Sequence, residues 1–576
     1  MLPCELYPAS EEYADFIFQY STRSPEGLAE LVRTTCVNII NQDFAVVHAR
    51  LDRIGPISIA RDTYSTIPKL YGLQNTTALE SSGITPVFDQ PSLLATGRGV
   101  MIGIIDTGID YTNSLFRLSD GSSRILSIWD QGIQGEQPPA PVAGFQPFYG
   151  TTYSQEEINR ALASEDPFSI VPSRDTDGHG TFMAGVAAGN RITRPSSFSG
   201  AAPDAGLVII KLKPAKQYLR EFFLIPPEVP AYQENDIMAA LSYLLGLANQ
   251  FRMPLVVYLG VGTGQGGHDG TSPLGIQLQA LTVRGFAAVT GAGNEVGYHH
   301  HYLGNPSENQ NYEDVELRVG ADESGFCMEL WTRAPELYTV GFVSPSGEVV
   351  ERVPIILGNE TLIPFRLDST RISLTYQNYE AGSGGQLIFM RFETPAPGIW
   401  HIRVYPAFSL SGAFHIWLPM HGFVSEQTIF LRSDPDTTIT DPGNASTPLT
   451  ISTYNHTNNS IFIHSSRGYT RSLRIKPDLS APGVEVQGPS LSASSGSGPV
   501  FTRRTGASVA AAIAAGAVAD IFSWGFIDKN DENLTSAAVK SMLIRGAGRN
   551  PAFQYPNREW GYGTLDLYQS FLGLRE

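Results

Sequence analysis

The hydrophobic pattern of the chain changes character three times. Up to about residue 75 it is mixed. Ile39, Phe44, Val46 and Val47 read as a strand, and residues 25–36 read as a helix with Leu28, Leu31 and Val32 on one face. From Gly99 continuous apolar runs take over, at 100–105, 205–211, 254–260 and 285–290. Helical patterns lie between and after them, at 182–190, 236–251, 275–283, 507–524 and 536–544. Uniformly apolar strands alternating with helices predict a parallel sheet covered on both faces. Between 312 and 432 the pattern becomes a period-two alternation, as in Val315-Glu-Leu-Arg-Val319, Trp400-His-Ile-Arg-Val404 and Phe414-His-Ile-Trp-Leu418, broken by turns such as Ser344-Pro-Ser-Gly347. That texture predicts an all-β sandwich inserted into the α/β unit. Its inner face would carry Trp400, Ile402, Val404, Phe414, Ile416 and Leu418.

Length and charge narrow the class. With 576 residues, 42% of them apolar, the chain can bury several cores. A net charge of −17 is not the footprint of a protein that binds nucleic acid or an anionic membrane. The first residues show no basic and apolar signal-peptide pattern, and no run of 18 apolar residues predicts a membrane span. Three cysteines, Cys4, Cys36 and Cys327, do not make a disulfide scaffold and suit a reducing compartment. The expected location is cytoplasmic or spore-associated.

Four polar residues stand where strands end or helices begin. Asp106 follows the apolar run 100–105, at the strand end where α/β sheets place reactive groups. His179 lies between two glycines in Asp177-Gly-His-Gly-Thr181, ahead of an Ala/Gly-rich helix. Asn294 closes Thr290-Gly-Ala-Gly-Asn294, and an Asn side-chain N–H suits an oxyanion. Ser508 opens the Ala-rich helix in Thr505-Gly-Ala-Ser508, where free backbone N–H groups and the helix dipole favour developing negative charge. Taken singly, each has a plain structural explanation as a turn or cap residue.

Their order, Asp, His, Asn, Ser, is one of the known solutions to serine hydrolysis, and here the chain resembles the subtilisin family (peptidase S8). Further matching stretches are Gly200-Ala-Ala-Pro-Asp204, Tyr258-Leu-Gly260 and Lys476-Pro-Asp-Leu-Ser-Ala-Pro-Gly483. The resemblance implies an autoprocessing serine endopeptidase with no cofactor and no metal, acting on a protein or peptide. It implies Asp106 supporting His179 as general base, Ser508 as nucleophile and Asn294 as oxyanion donor. Tyr258, Leu259 and Gly260 would form the edge that holds substrate backbone, and Gly291 and Ala292 the pocket wall.

Within that family the chain is similar to the Csp-type germination proteases of clostridia, on its 214-residue separation of Asn294 and Ser508, its His299-His-His-Tyr302 stretch and its Gly266-Gly-His-Asp-Gly-Thr-Ser272 stretch. This implies a doubly wound parallel α/β fold with an α+β prodomain (1–74), a catalytic domain in two parts (75–311 and 433–576) and a jelly roll (312–432) between them. It also implies cleavage near Gln74-Asn75, with Tyr71 in the fourth pocket upstream, a prodomain that stays bound, and a spore-cortex lytic zymogen as substrate.

Three rival readings are weighed against this one. Ala507 replaces the threonine usual before the serine, and Tyr258 a usual small serine, which is the support for a catalytically weak sensor or scaffold. Gly262-Thr-Gly-Gln-Gly-Gly267 matches a dinucleotide-binding fingerprint, but residues around Thr282-Val-Arg284 lack the acidic partner. The histidines 299–301 read as a surface loop rather than a metal site, because no spaced acidic or cysteine ligand completes them.

Overall fold

The computed structural model describes residues 8–20, 36–60, 62–73, 80–88, 90, 93, 95–135, 138–192, 197–281, 283–306, 311–410, 412–491 and 499–574. The helix expected at 25–36 falls mainly outside them. At the N-terminus, β1 (Tyr13–Gln19), β2 (Val37–Ile39) and β3 (Phe44–Arg50) form an antiparallel sheet in the order β1-β3-β2. The expected single strand at 39–47 is therefore a hairpin. Cys36 is disulfide-bonded while Cys327 is free and buried, which corrects the expectation of reduced thiols for Cys36; three scattered cysteines carry no pairing signal.

The four apolar runs become β5 (Met101–Asp106), β8 (Gly206–Lys211), β10 (Leu255–Leu259) and β12 (Phe286–Gly291), all parallel. With β6 (Ile125–Asp130), β7 (Thr151–Ser154), β24 (Leu449–Asn455), β25 (Ser460–Ile461) and β26 (Leu479–Pro482) they make a nine-stranded sheet ordered β25-β24-β12-β10-β5-β8-β6-β7, with β26 on β24. Alternate residues serve opposite cores. Ile102, Ile104, Val256 and Val289 pack with α1 (His179–Ala188) and α5 (Ala507–Phe522). Met101, Ile105, Val257 and Ala288 pack on the side of α3 (Glu234–Phe251) and α4 (Pro273–Ala280). Two buried faces explain why these strands are apolar without alternation. By length and composition Ala507–Ile527 is apolar enough to cross a membrane, but 83% of it is buried inside the protein.

The alternating segment forms two packed antiparallel sheets. One holds β13 (His301–Gly304), β22 (Phe414–Trp417), β15 (Gly325–Thr332), β20 (Leu387–Glu393), β19 (Arg371–Gln377) and β18 (Glu360–Pro364). The other holds β17 (Val349–Val350), β16 (Leu337–Val343), β21 (Gly398–Phe408), β14 (Glu313–Val319) and β23 (Ile429–Phe430). The six residues assigned to its inner face all lie in its core. The sandwich starts at His301 rather than at 312, because β13 is too short to display alternation and earns its place only by pairing with β22.

One apolar cluster joins all three parts. It contains Phe16, Tyr64 and Leu70 from the N-terminal unit, Leu219 and Phe223 from α2 (Gln217–Phe223), and Trp331, Leu387 and Phe389 from the sandwich. The rings of Phe222 and Phe389 stack at 5.6 Å. Beside the cluster Asp15 is fully buried, with His48 Nδ1 at 2.7 Å, Lys216 Nζ at 2.9 Å and Gln233 Nε2 at 3.0 Å. Burial opposes ionisation of Asp15, but Lys216 and His48 outweigh it and hold its carboxyl well below the usual range. Burial lowers the pKa of His48 against the pull of Asp15.

Both folded values lie below their unfolded counterparts, so the unfolded chain takes up protons first as pH falls. Stability from His48 is complete above about 6.5 and declines below it; that from Asp15 is complete above about 4 and declines further down. We expect acidification from neutral pH to about pH 5 to loosen the N-terminal unit, read by its trypsin sensitivity. Lys216→Met strands a buried carboxylate and should cost roughly 3–5 kcal/mol in urea unfolding; a loss under about 1 kcal/mol would contradict the buried pairing.

Candidate functional site

β5 delivers Asp106 to the end of the sheet, where it is completely buried. Its Oδ1 accepts the Thr107 N–H (2.7 Å) and lies 2.7 Å from His179 Nδ1; Oδ2 lies 2.9 Å from the same nitrogen. A carboxylate only accepts, so Nδ1 carries the imidazole proton and Nε2 is left bare. Nε2 is 3.2 Å from Ser508 Oγ, a geometry in which it accepts the hydroxyl proton. The structure therefore brings Asp106, His179 and Ser508, up to 402 residues apart, into one buried line.

The local sequence explains how they meet. α1 begins at His179 behind Gly178, whose φ of +85° is left-handed. A Cβ on Gly180 would stand 2.2 Å from the carbonyl oxygen of Gly108, so only glycine lets α1 approach the end of β5. Asp175 fastens the same corner. Its Oδ1 accepts from Thr107 Oγ1 (2.9 Å) and Gly178 N (2.8 Å), and its Oδ2 from Thr181 N (2.9 Å) and Oγ1 (2.7 Å). Sequence reasoning passed over Asp175, Thr107 and Thr181. The only signal was the density of turn-forming polar residues in Asp175-Thr-Asp-Gly-His-Gly-Thr181.

Ser508 occupies the first turn of α5. The Asn294 carbonyl oxygen accepts the Ala507 N–H at 3.0 Å, which fixes the amide orientation and leaves its NH2 end for an oxyanion beside Ser508. Gly291 ends β12, and the backbone of Ala292 is held on both sides, its N–H donating to Ile451 O (2.8 Å) and its C=O accepting from Thr440 N (3.0 Å). They form a fixed wall beside Asn294.

The edge that receives an extended chain differs from the expectation. Tyr258 and Leu259 belong to β10, paired on both sides with β5 and β12 and buried, so neither offers a free edge. The chain leaves the sheet at Gly260, where a Cβ would lie 2.1 Å from Asp106 Oδ2. The open edge is the next pair, β11 (Val261–Gly262). An uninterrupted apolar run conceals the point at which a strand exits, and this shifts the edge two residues along. The Tyr258 hydroxyl lies under the triad, its pKa raised well above the ordinary value by burial and by Asp106.

That edge is occupied by the protein itself. β4 (Leu70–Leu73) runs antiparallel to β11, with Leu73 opposite Val261 and Gly72 opposite Gly262. On its other side it pairs with β9 (Tyr232–Gln233), with Tyr71 opposite Tyr232. Tyr71 is fully buried. Gln74 and Asn75 lie outside the described residues. The expected surface loop at 299–301 holds for His299 alone: His300 and His301 are buried, and His301 Nε2 is 2.9 Å from His415 Nδ1. Their burial follows from β13, which draws them into the sandwich.

A buried Asp-His-Ser line at the ends of a doubly covered parallel sheet defines a subtilisin-like hydrolase site. Residues 97–222 and 430–563 match the model of the subtilase family, on either side of the sandwich. The structure superposes on that of the CspB protease of Clostridium perfringens with a TM-score of 0.73 at 29% identity, over 85% of this chain and 96% of that one. Subtilisin-like protease SBT2.2 of Arabidopsis thaliana is 35% identical over 128 residues, 20% of this chain and 15% of that protein. Subtilisin-like protease SBT3 of Solanum lycopersicum is 31% identical over 143 residues, 23% and 17% respectively. The match thus spans less than a fifth of the length of either plant relative. The chain belongs to the subtilase family of serine proteases, with a Csp-type relationship.

Gly180→Ala is the sharpest test of the corner that positions His179. Displacing α1 from β5 should cost about 2 kcal/mol or more, as overpacking against backbone does. It should also abolish labelling of Ser508 by a fluorophosphonate probe. Labelling at the wild-type rate would show that the contact with Gly108 does not set the site.

Proposed function

We propose that the chain is a serine endopeptidase that cuts the bond joining its own N-terminal unit and then a protein substrate. Ser508 Oγ attacks the carbonyl carbon as His179 Nε2 takes its proton, Asp106 stabilises the imidazolium, and the Asn294 NH2 receives the oxyanion. His179 returns the proton to the leaving amine, and water, activated by the same base, releases the acyl group. No cofactor enters these steps.

The observation that carries this reading is β4 in the cleft beside the Asp-His-Ser line. An extended chain hydrogen-bonded between two strands is how a protease presents backbone to a nucleophile. A chain that continues the register of β4 by one residue reaches Gly260, against Asp106. This supports Gln74-Asn75 as the bond cut, with Tyr71 in the fourth pocket upstream. It supports residues 1–74 as a prodomain, and the buried contacts of Asp15 and Lys216 support its retention after cleavage. The Csp-type relationship supports a spore-germination role with a cortex-lytic zymogen as substrate. Of the two expected locations, the disulfide at Cys36 favours the spore over a reducing cytoplasm.

In Ser508→Ala the intact mass should remain that of the full chain, with turnover reduced by roughly 10⁶. The wild type should give a large fragment starting at residue 75. Processing of the mutant, or a start before 66 or after 90, would overturn the assignment. Asn294→Ala should fold normally and lose about 3 kcal/mol of transition-state stabilisation; an unchanged kcat would remove Asn294 from the oxyanion site.

A further inference from the structure

Upstream of β4 the chain enters a buried polar pocket. Lys69 is only 3% exposed. Its N–H donates to Glu234 Oε2 (3.3 Å), and the Glu234 N–H donates to its carbonyl oxygen (3.0 Å), so its backbone is clamped to the start of α3. Its Nζ donates to the carbonyl oxygens of Tyr64 (2.8 Å) and Ile67 (2.9 Å) and lies 4.2 Å from the Tyr64 ring centre. Burial lowers the pKa of this ammonium against the pull of Glu234, Glu380, Glu329 and Asp441. Glu380 and Asp441 line the same pocket, and burial raises the pKa of Glu234, Glu329 and Asp441, the last to about 6. Glu234 and Asp441 come from the catalytic part; Glu329 lies on β15 and Glu380 follows β19, so acidic groups of the sandwich and of the catalytic part meet here.

A cavity of about 20 Å³ remains among Lys69, Tyr71, Gln265, Trp331, Glu380 and Asp441. Two of its polar groups, the Tyr71 hydroxyl and Gln265 Nε2, have no hydrogen-bond partner, although Tyr71 is fully buried and Gln265 only 6% exposed. The pocket is therefore built for polar contents and is not completely filled by the present ones.

Buried carboxylates and a buried ammonium are each costly alone and tolerable together. Removing the cation would leave the acidic groups uncompensated. Lys69 precedes Tyr71 by two residues, and in an extended chain residues two apart share a face. Any chain laid along β11 and β9 in the register of β4 brings its corresponding side chain to this place. Glu380, Asp441, Gln265 and Trp331 remain to line it if the N-terminal unit departs, with Glu234 and Glu329 next to them.

We propose that these residues form an acidic subsite, completed by the sandwich, that takes the lysine or arginine lying two residues before the buried aromatic residue of a substrate. This deepens the protease reading and rests on it. It assigns the sandwich a part in choosing substrates with the pattern basic-x-aromatic, five residues upstream of the residue whose carbonyl is attacked.

The test has two arms. Peptides with the sequence of residues 69–76, carrying Lys, Arg, Met or Glu in the first position, are offered to the enzyme. We expect kcat/KM for Lys and Arg to exceed that for Met by about tenfold or more, with Glu lowest, and Glu380→Gln with Asp441→Asn to flatten the order. Equal values for Lys and Met overturn the proposal. The second arm needs no turnover. In the uncut Ser508→Ala chain, Lys69→Arg should keep β1, β3 and β4 docked, while Lys69→Met should expose them to trypsin. Full protection of the Met variant shows that the pocket has no need of a cation and overturns the proposal. If no peptide is cut and Ser508 resists a fluorophosphonate probe, the protease reading fails, and the docking arm alone decides the pocket.

Discussion

An ionised carboxylate with no exposed surface is the constraint around which this molecule is arranged. Asp106 would destabilise the fold by several kcal/mol if left unpaired. It is satisfied by the Thr107 N–H and by His179 Nδ1, and both answers impose conditions elsewhere. His179 reaches the carboxylate only if α1 begins against the end of β5, which requires glycine at 180. The neighbouring strand passes Oδ2 only if position 260 has no side chain. Asp175 then ties the strand end to the helix through four hydrogen bonds. The spacing of the glycines is thus a consequence of burying one charge, and the bare Nε2 facing Ser508 is a consequence of how that charge is paired.

The sandwich and the N-terminal unit close the same structure from the other side. β4 pairs with β9 over Leu70–Tyr71 and with β11 over Gly72–Leu73, so each of its residues is held by one neighbouring strand and its side chains can be read by pockets. Phe16, Phe223 and Phe389 come from three separate parts of the chain yet share one apolar cluster. Glu329 accepts from the Tyr64 hydroxyl (2.6 Å), from Trp331 Nε1 (2.9 Å) and from the Gly266 N–H (3.0 Å), linking the segment before β4, the sandwich and the loop after β11. An insertion wired in this way is a structural wall of the cleft.

Much of this was legible from residue order. Four apolar runs marked the parallel strands because two covered faces leave no polar alternation, and the alternating segment marked the sandwich because its strands present one core face. Asp106, His179 and Ser508 were legible because each stands at an element boundary. What escaped were facts of register and of long-range pairing. The apolar run through Tyr258 does not show that the strand leaves the sheet at Gly260. His301 to Gly304 carries no period of its own and becomes a strand only against β22. Cys36 looks like any isolated thiol until the fold supplies a partner. Asp175 works through bonds to Thr107, Gly178 and Thr181, and nothing in its own neighbourhood distinguishes it from a loop aspartate.

On the proposed reading, the arrangement separates cutting from activation. If the bond after Gln74 is the one cleaved, every strand pair of β4 lies on the N-terminal side of the cut, and so do the buried contacts of Lys69 and Asp15. Cleavage then removes a covalent tether and none of the contacts that hold the segment in the cleft. The new carboxylate would sit beside Ser508 as a bound product. Release depends on breaking a small sheet and exposing paired buried charges together, which makes it cooperative and slow compared with side-chain motion. In such a molecule, access for an external substrate is set by displacement of β4 rather than by the acyl-transfer chemistry. A competing chain succeeds only by offering the same backbone register and by filling the same pockets.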